Sequence, residues 1–277
     1  MTDKLLLAGV IGDPIAHSRS PRLHGHWLER YGIEGHYVPL HVTRERLHDT
    51  LRLLPELGFS GINVTIPHKE AVLQIADSVT DRAALIGAAN TLTFTASGKL
   101  QADNTDGVGF LENIKQYTHD WSASEGPALV LGAGGAARAV VSALLTEGCP
   151  QIYLVNRTRA RADALRENFG ARIVVVDWTR IPDVLGDCAL LVNTTSLGMV
   201  GKQPLHIDLD RLNPQTVVND IVYTPLRTEL LDEAQARGCH TVDGLGMLLH
   251  QAAPGFERWF GVKPEVDDRL RRVVLAK

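Results

Sequence analysis

Short apolar runs alternate along this chain with segments whose apolar residues recur at helical spacing. Leu5 to Ile11 (LLLAGVI) predicts a strand and Pro21 to Tyr31 (PRLHGHWLERY) a helix. His36 to Val42 predicts a second strand. The row Leu47, Leu51, Leu54 supplies the core face of a helix from Glu45 to Leu57. Gly61 to Ile66 is a third strand, and Lys69 to Ile75 reads as a helix behind Pro67. The rhythm then changes: Asn90 to Phe94 and Lys99 to Gln101 flank Ala96-Ser97-Gly98, a hairpin at the rim of the first sheet. Gly107 to Tyr117 is helical, and the polar stretch Thr118 to Gly126 reads as a linker or surface loop.

From Pro127 the alternation resumes. Strands are expected at Ala128 to Leu131, Ile152 to Val155, Ile173 to Val176, Leu190 to Asn193 and Val217 to Ile221. Helices fall between them, clearest at Ala136 to Leu145 and Arg159 to Asn168. A helix from Gly246 to Phe260 and a charged helical tail, Glu265 to Lys277, close the chain. Strands that are apolar throughout and separated by helices predict parallel sheets covered on both faces. The layout is α/β, in two domains.

Composition narrows the function classes. The 277 residues suffice for one large or two modest cores, and a net charge of −4 without a basic stripe argues against nucleic acid as a partner. Cys149, Cys188 and Cys239 are unclustered, which fits a reducing compartment and makes the cytoplasm the expected location. The opening run MTDKLLLAGVIGDP is too short for a membrane span and lacks a small-residue cleavage site, so no membrane partner is expected. His24 and His26 lie two apart on a predicted helix and share no face, and no HExxH or similar spacing occurs, so no metal is expected.

The run Ala128-Leu129-Val130-Leu131-Gly132-Ala133-Gly134-Gly135-Ala136-Ala137 carries chemistry. It takes an apolar strand through a glycine turn into a helix, matching GxGxxG except for Ala137 at the last position. Such a turn seats a pyrophosphate on the free N–H groups of the helix start. No GK[ST] follows, which excludes a triphosphate P-loop. The next strand ends in Asn156-Arg157-Thr158, about 20 residues on, where an acidic residue would hold the ribose 2′-hydroxyl of NAD. Here the position is basic, with Arg159 and Arg161 following. Guanidinium groups suit a 2′-phosphate, so NADP is expected over NAD. The alternative, a solvated face, suits Arg159 better than Arg157.

Other polar clusters lie in the first half. Ser18 and Ser20, in HSRSP, precede a helix; Ser20 is expected as its N-cap, with Pro21 in the first turn. Two hydroxyls there can hold a carboxylate. Asn63, Thr65 and Lys69 follow the third strand, and Asn104-Thr105-Asp106-Gly107 follows the hairpin, with Asn90 before it. All fall at strand ends or edges, where open α/β sheets bind ligands. Reduction of a ketone needs hydride at carbon and a proton at oxygen. A nicotinamide supplies only the first; a lysine beside the carbonyl can supply the second. A surface role for Lys69 stays open on these residues alone.

The sequence resembles the shikimate dehydrogenase family. The segments that carry the resemblance are GDPIAHSRSP (12–21), GINVTIPHKE (61–70), GAANTL (87–92), DNTDGVGF (103–110), LGAGGAARA (131–139), NRT (156–158), NTTSLGM (193–199) and DGLGMLLHQA (243–252), in family order over nearly the whole chain. The resemblance implies NADP-dependent reduction of 3-dehydroshikimate to shikimate, on the chorismate route to aromatic amino acids. It implies Lys69 as acid–base with Asp106 as its partner. Ser18 and Ser20 would bind the substrate carboxylate; Thr65, Asn90 and Gln251 would hold the ring hydroxyls, and Tyr223 would face the substrate. Gly132, Ala133, Gly134, Gly135 and Ala136 would bind the cofactor together with Asn156, Arg157, Thr158 and Arg161. Asp81, Met199, Ile221 and Gly244 are further positions near it. The implied fold is a substrate domain, residues 1–106 plus 244–277, and a Rossmann-type NADP domain, residues 107–243, with a cleft between them. Oligomeric state is left open, a homodimer being the candidate assembly.

Two rival readings share these features. A quinate/shikimate dehydrogenase using NAD would carry an acidic residue after the arginine, where this chain has Thr158 and Arg161. A non-catalytic NADP-binding sensor on the same scaffold is expected to have lost Lys69 or Asp106, and both are present.

Overall fold

A computed structural model describes residues 5–118 and 120–276. Residues 1–4 of the expected first domain, His119 of the expected linker and Lys277 of the tail lie outside them. The chain forms two compact units. One comprises the residues up to Thr105 and those from Leu249 onward; the other is Asp106–Leu248.

In the first unit, β1 (Leu6–Gly12) leads to α1 (Ser20–Arg30), β2 (Gly35–His41), α2 (Leu47–Leu53) and β3 (Phe59–Val64). Then come α3 (Val72–Ile75), β4 (Ser78–Val79), α4 (Asp81–Ile86), β5 (Thr91–Phe94) and β6 (Leu100–Asp103). The sheet order is β2-β1-β3-β5-β6-β4. β1 runs parallel to β2 and β3, whereas β5 pairs antiparallel with both β3 and β6. The hairpin is therefore real but not at the rim, because β4 pairs with β6 and takes the edge.

The structure departs from local expectation at three places. The helix expected over 45–57 is a 3₁₀ turn, Arg44–Arg46, followed by the shorter α2. The helix expected from Lys69 begins only at Val72, so Lys69 sits in a turn. Ser20 is not the N-cap. Arg19 occupies that position with helical φ and ψ and no side-chain cap, which leaves the Ser20 hydroxyl available for other partners.

The second unit opens with α5 (Asp106–Tyr117) and continues through β7 (Ala128–Leu131), α6 (Gly135–Thr146), β8 (Ile152–Val155), α7 (Arg159–Phe169) and β9 (Ile173–Val175). α8 (Ile181–Leu185), β10 (Leu190–Asn193), β11 (Val217–Asp220), α9 (Glu229–Ala236) and β12 (His240–Val242) complete its alternating series. Its sheet is parallel throughout, in the order β12-β11-β10-β7-β8-β9. Val130, Leu154 and Val192 pack under α6 on one face, while Leu129, Leu131 and Leu191 pack with α8 and α9 on the other. Burial on both faces is why β7 and β8 carry no charged or amide side chain and β10 is apolar up to its last residue, Asn193. The order reverses between β7 and β10, the switch point at which doubly wound sheets bind ligands.

α10 (Leu245–Phe260) carries the chain back to the first unit, and α11 (Asp268–Leu275) ends it. In the first unit, Phe256 and Trp259 of α10 pack with Trp27, Tyr37 and His24. Gly61 is required there, since a Cβ would fall 1.9 Å from Trp259 Nε1. The tail helix lies on α1, anchored by Arg30 to Glu265 and Asp267.

Candidate active site

In the first unit, β1, β3 and β5 bring together residues that are far apart in the chain. Asn90 is the centre. Buried at 4% exposure, its Oδ1 accepts from the Thr105 N–H at 2.8 Å, and its Nδ2 donates to Gln251 Oε1 at 3.3 Å. The Thr105 hydroxyl donates to the Gln251 carbonyl at 2.8 Å, which fixes α10 against this strand end. Asn63 donates to the Asn90 carbonyl at 3.0 Å and accepts from Tyr37 Oη at 2.7 Å. The Ser20 side chain adjoins the Tyr37 hydroxyl. One polar row thus runs Tyr37, Asn63, Asn90, Thr105, Gln251, with Ser20 beside it.

Lys69 adjoins this row. Its carbonyl accepts from the Ala89 N–H at 2.8 Å, so the turn after β3 is held beside Asn90 and the half-buried lysine lies next to it in the backbone. Thr65 is fixed in the same turn by Thr65 N–H to Ile11 O, 3.0 Å. Ser18 orders the start of α1 by accepting from the Ser20 N–H at 3.3 Å. Asp106 is one residue beyond Thr105; it opens α5 and is 6% exposed. Asp81, expected near the cofactor, is an exposed residue in the first turn of α4, in the first unit.

Beneath the row lies an ionic cluster. Asp103, 0% exposed, accepts from Thr80 Oγ1 at 2.8 Å, Arg82 Nε at 2.6 Å and Arg258 Nη2 at 2.6 Å. Burial raises its carboxyl, but the hydrogen bonds from Arg82, Thr80 and Arg258 outweigh that and hold it at about 2. Arg258 lies two turns beyond Gln251 on the same face of α10, so this pairing also sets the helix register at Gln251. Nearby, burial takes His24 down to about 3, leaving it a neutral ring stacked 3.9 Å from Tyr37.

The second unit holds the glycine turn. Gly132 has φ +110°, and a Cβ there would lie 2.6 Å from Thr194 Oγ1, so only glycine fits. At Gly134 and Gly135 a Cβ would meet nothing within 4 Å. The backbone there faces open space, at the start of α6, whose first N–H groups lack intrahelical partners. Ala133 and Ala136 complete the turn. A pyrophosphate fits this cradle.

Asn156 and Arg157 line a cavity of about 540 Å³ with Arg159, Asp177, Trp178, Thr195 and Gln203. Asn156 donates to the Thr158 carbonyl at 2.8 Å, shaping the turn after β8. Arg159 pairs with Asp177 at 2.6 Å and Asp163 at 3.8 Å. Arg157 and Arg161 are exposed and make no ion pair with a described residue, so their charges remain available to an anion. Met199, Ile221 and Tyr223 line a second cavity of about 320 Å³ with Thr194 and Ser196. Gly244 supports its floor, its Cα so close to Ile221 that a Cβ would fall 2.2 Å from the Ile221 carbonyl oxygen.

Tyr37 and Asp103 in the first unit, and Asp220 in the second, hold these residues in place without having stood out in the sequence. Tyr37 and Asp220 had a signal: a tyrosine on the inward side of a strand and an aspartate ending the apolar run VVND each need buried partners. Among the described residues, no group of three or more His, Cys, Asp or Glu is placed to hold a metal, and no helix is long and apolar enough to cross a membrane.

Comparison with known proteins covers the same ground. Residues 10–92 match the shikimate dehydrogenase substrate binding domain, residues 114–206 the shikimate / quinate 5-dehydrogenase family, and residues 244–269 the shikimate 5'-dehydrogenase C-terminal domain. The shikimate dehydrogenase (NADP(+)) of Jannaschia sp. (strain CCS1) is 69% identical, with 99% of each chain covered. The crystal structure of shikimate 5-dehydrogenase from Thermus thermophilus in complex with NADP(H) and shikimate is 38% identical, with a TM-score of 0.85 over 97% of this chain and 100% of that one. Quinate dehydrogenase from Corynebacterium glutamicum in complex with NAD is 33% identical, with a TM-score of 0.90 over 98% and 99%.

Proposed function

The chain belongs to the shikimate dehydrogenase family, and from that premise we propose how its own residues carry out the NADP-dependent interconversion of 3-dehydroshikimate and shikimate. NADPH, when bound, supplies the hydride. Lys69 delivers the proton to the carbonyl oxygen in reduction and takes it back in oxidation. Asp106 accepts a hydrogen bond from the neighbouring substrate hydroxyl and, with Lys69, orients the reacting carbon. Ser18 and Ser20 donate to the substrate carboxylate, while Thr65, Asn90 and Gln251 hold the ring hydroxyls. A ligand lacking one of these hydroxyls would leave a buried polar group unpaired, which discriminates strongly.

Gly132, Ala133, Gly134, Gly135 and Ala136 seat the pyrophosphate, and Asn156, Arg157, Thr158 and Arg161 hold the ribose 2′-phosphate. Met199, Ile221 and Gly244 wall the nicotinamide end, with Tyr223 turned to the substrate; Asp81 is a further position near the cofactor. The observation that supports this most is the single hydrogen-bonded row from Tyr37 to Gln251, with Ser20 beside it, which gathers one substrate's worth of donors and acceptors from separate segments of the chain. Initial rates measured by NADPH absorbance, with shikimate against quinate and NADP against NAD, test it. Highest kcat/KM for shikimate with NADP is expected; preference for quinate with NAD would reject it. A homodimer and a cytoplasmic location belong to the same proposal, and analytical ultracentrifugation checks the first.

A further inference from the structure

Asp220 ends β11 opposite Asn193, which ends β10 in the adjacent register position. It is 0% exposed, and no lysine, arginine or histidine among the described residues pairs with it. Its carboxylate is met by neutral donors. Asn193 Nδ2 and the Val222 N–H reach Oδ1 at 2.9 and 3.0 Å, and Thr228 Oγ1 reaches Oδ2 at 2.8 Å. Asn193 is itself committed: its Oδ1 accepts from the Thr195 N–H and hydroxyl at 3.0 and 2.7 Å, and Thr195 Oγ1 accepts from the Leu197 N–H at 3.0 Å. One buried acceptor therefore fixes two loops. Through Val222 it fixes the segment bearing Ile221 and Tyr223; through Asn193 and Thr195 it fixes the segment leading to Met199. These are the two walls of the cavity of about 320 Å³.

We propose that Asp220 is a positioning residue for hydride transfer: its carboxylate holds the loops after β10 and β11 at the separation that receives the nicotinamide. This rests on the function proposed above. A buried polar side chain must be met at each of its polar atoms, and here three donors from two loops converge on one short side chain. The bridge depends on that hydrogen-bonding geometry rather than on the charge, so a side chain of the same shape with an acceptor toward Asn193 and Val222 preserves it, and alanine abolishes it. A wall displaced by about 1 Å can cost two orders of magnitude in rate.

The test compares Asp220→Ala with the isosteric Asp220→Asn. Asparagine keeps one oxygen for Asn193 and Val222 and turns its amide to Thr228, whose hydroxyl can accept. Expected for Asp220→Ala is a ten- to hundredfold fall in kcat, a larger primary isotope effect with NADPH deuterated at the transferred position, and shikimate KM within about twofold of wild type. Asp220→Asn is expected within about threefold of wild type in all three. Thr195→Val, in a half-buried loop, cuts the same relay beyond Asn193; it should lower kcat and raise the isotope effect to a smaller degree, and it serves if the alanine variant does not fold. Wild-type kcat and isotope effect in Asp220→Ala or Thr195→Val would overturn the proposal, as would an asparagine variant as slow as alanine. Failure of the wild-type protein to oxidise shikimate with NADP would instead overturn the underlying function.

Discussion

Three arginines follow β8, and their surroundings differ enough to rank them. Arg159 is already answered by Asp177 and Asp163. Arg157 lines the cavity of about 540 Å³, and neither it nor Arg161 pairs with a described residue. Replacing Arg157 by alanine removes the guanidinium that would hold a 2′-phosphate and disturbs no ion pair. A hydrogen bond to a charged group contributes about 1.5–3 kcal/mol, and about 1.4 kcal/mol is a factor of ten, so the NADP dissociation constant should rise roughly ten- to hundredfold. The exposure of the side chain places the effect toward the lower end and makes it shrink as salt is added. NAD lacks the phosphate, so its dissociation constant should change less than about threefold if the loss is a hydrogen-bonded charge. Arg166→Ala is the control. It removes the same charge from the last turn of α7, roughly 10 Å along the helix from Arg159 at 1.5 Å per residue, about a Debye length at physiological salt. The assay is titration of NADP and NAD against protein fluorescence, with KM values from initial rates as a second readout. Equal weakening of both cofactors, or an Arg166→Ala effect as large as that of Arg157→Ala, would refute the 2′-phosphate assignment.

Lys69→Ala should leave the NADPH dissociation constant unchanged within error while lowering turnover by about 10²–10⁴-fold; turnover near wild type would remove Lys69 from the mechanism. Asp103 gives a pH prediction. Its carboxyl lies at about 2 when folded against an ordinary 3.8, so the stabilisation is complete above about pH 4 and is lost as pH falls toward 2. The shift corresponds to about 2 kcal/mol. Denaturant unfolding of wild type and Asp103→Asn should therefore converge over that acid range, and curves that stay parallel would show that the cluster contributes nothing through ionisation.

Much of the second unit is legible in the sequence because its determinants are local. Runs such as Ala128–Leu131 and Ile152–Val155, apolar at every position, are strands buried on both faces, and their expected and observed bounds coincide. The glycine turn is equally plain, since the backbone at Gly132 requires a missing Cβ that the sequence displays. The first unit is less legible. Ser20 does not cap α1 because the chain enters that helix at Arg19 already in helical conformation, and the Ser20 side chain instead adjoins the Tyr37 hydroxyl of β2. No helix starts at Lys69 because its carbonyl accepts from the Ala89 N–H instead of from the Leu73 N–H one turn on, which bonds to Glu70. Asp103 looks ordinary ahead of Asn104-Thr105-Asp106-Gly107, since its partners Arg82 and Arg258 stand 21 and 155 residues away.

The family signature in the first unit names Ser18, Lys69 and Asn90 without saying what holds them. Asn63 and Tyr37 connect those segments across the sheet, and only the pairing of β1 with both β2 and β3 brings them into reach. Asp220 is the same kind of case: a carboxylate at the end of an apolar strand signals a buried obligation, but not which donors meet it.

The sequence alone determined the classes of element, the doubly wound character of the second half and the chemistry on offer, because periodicity, glycine and charge act within a few residues of where they stand. The tertiary structure decided which polar groups share one row, which arginines keep an unanswered charge and which carboxylates are buried. Those depend on desolvation and on hydrogen-bond partners supplied from distant segments, and neither exists until the sheets have formed.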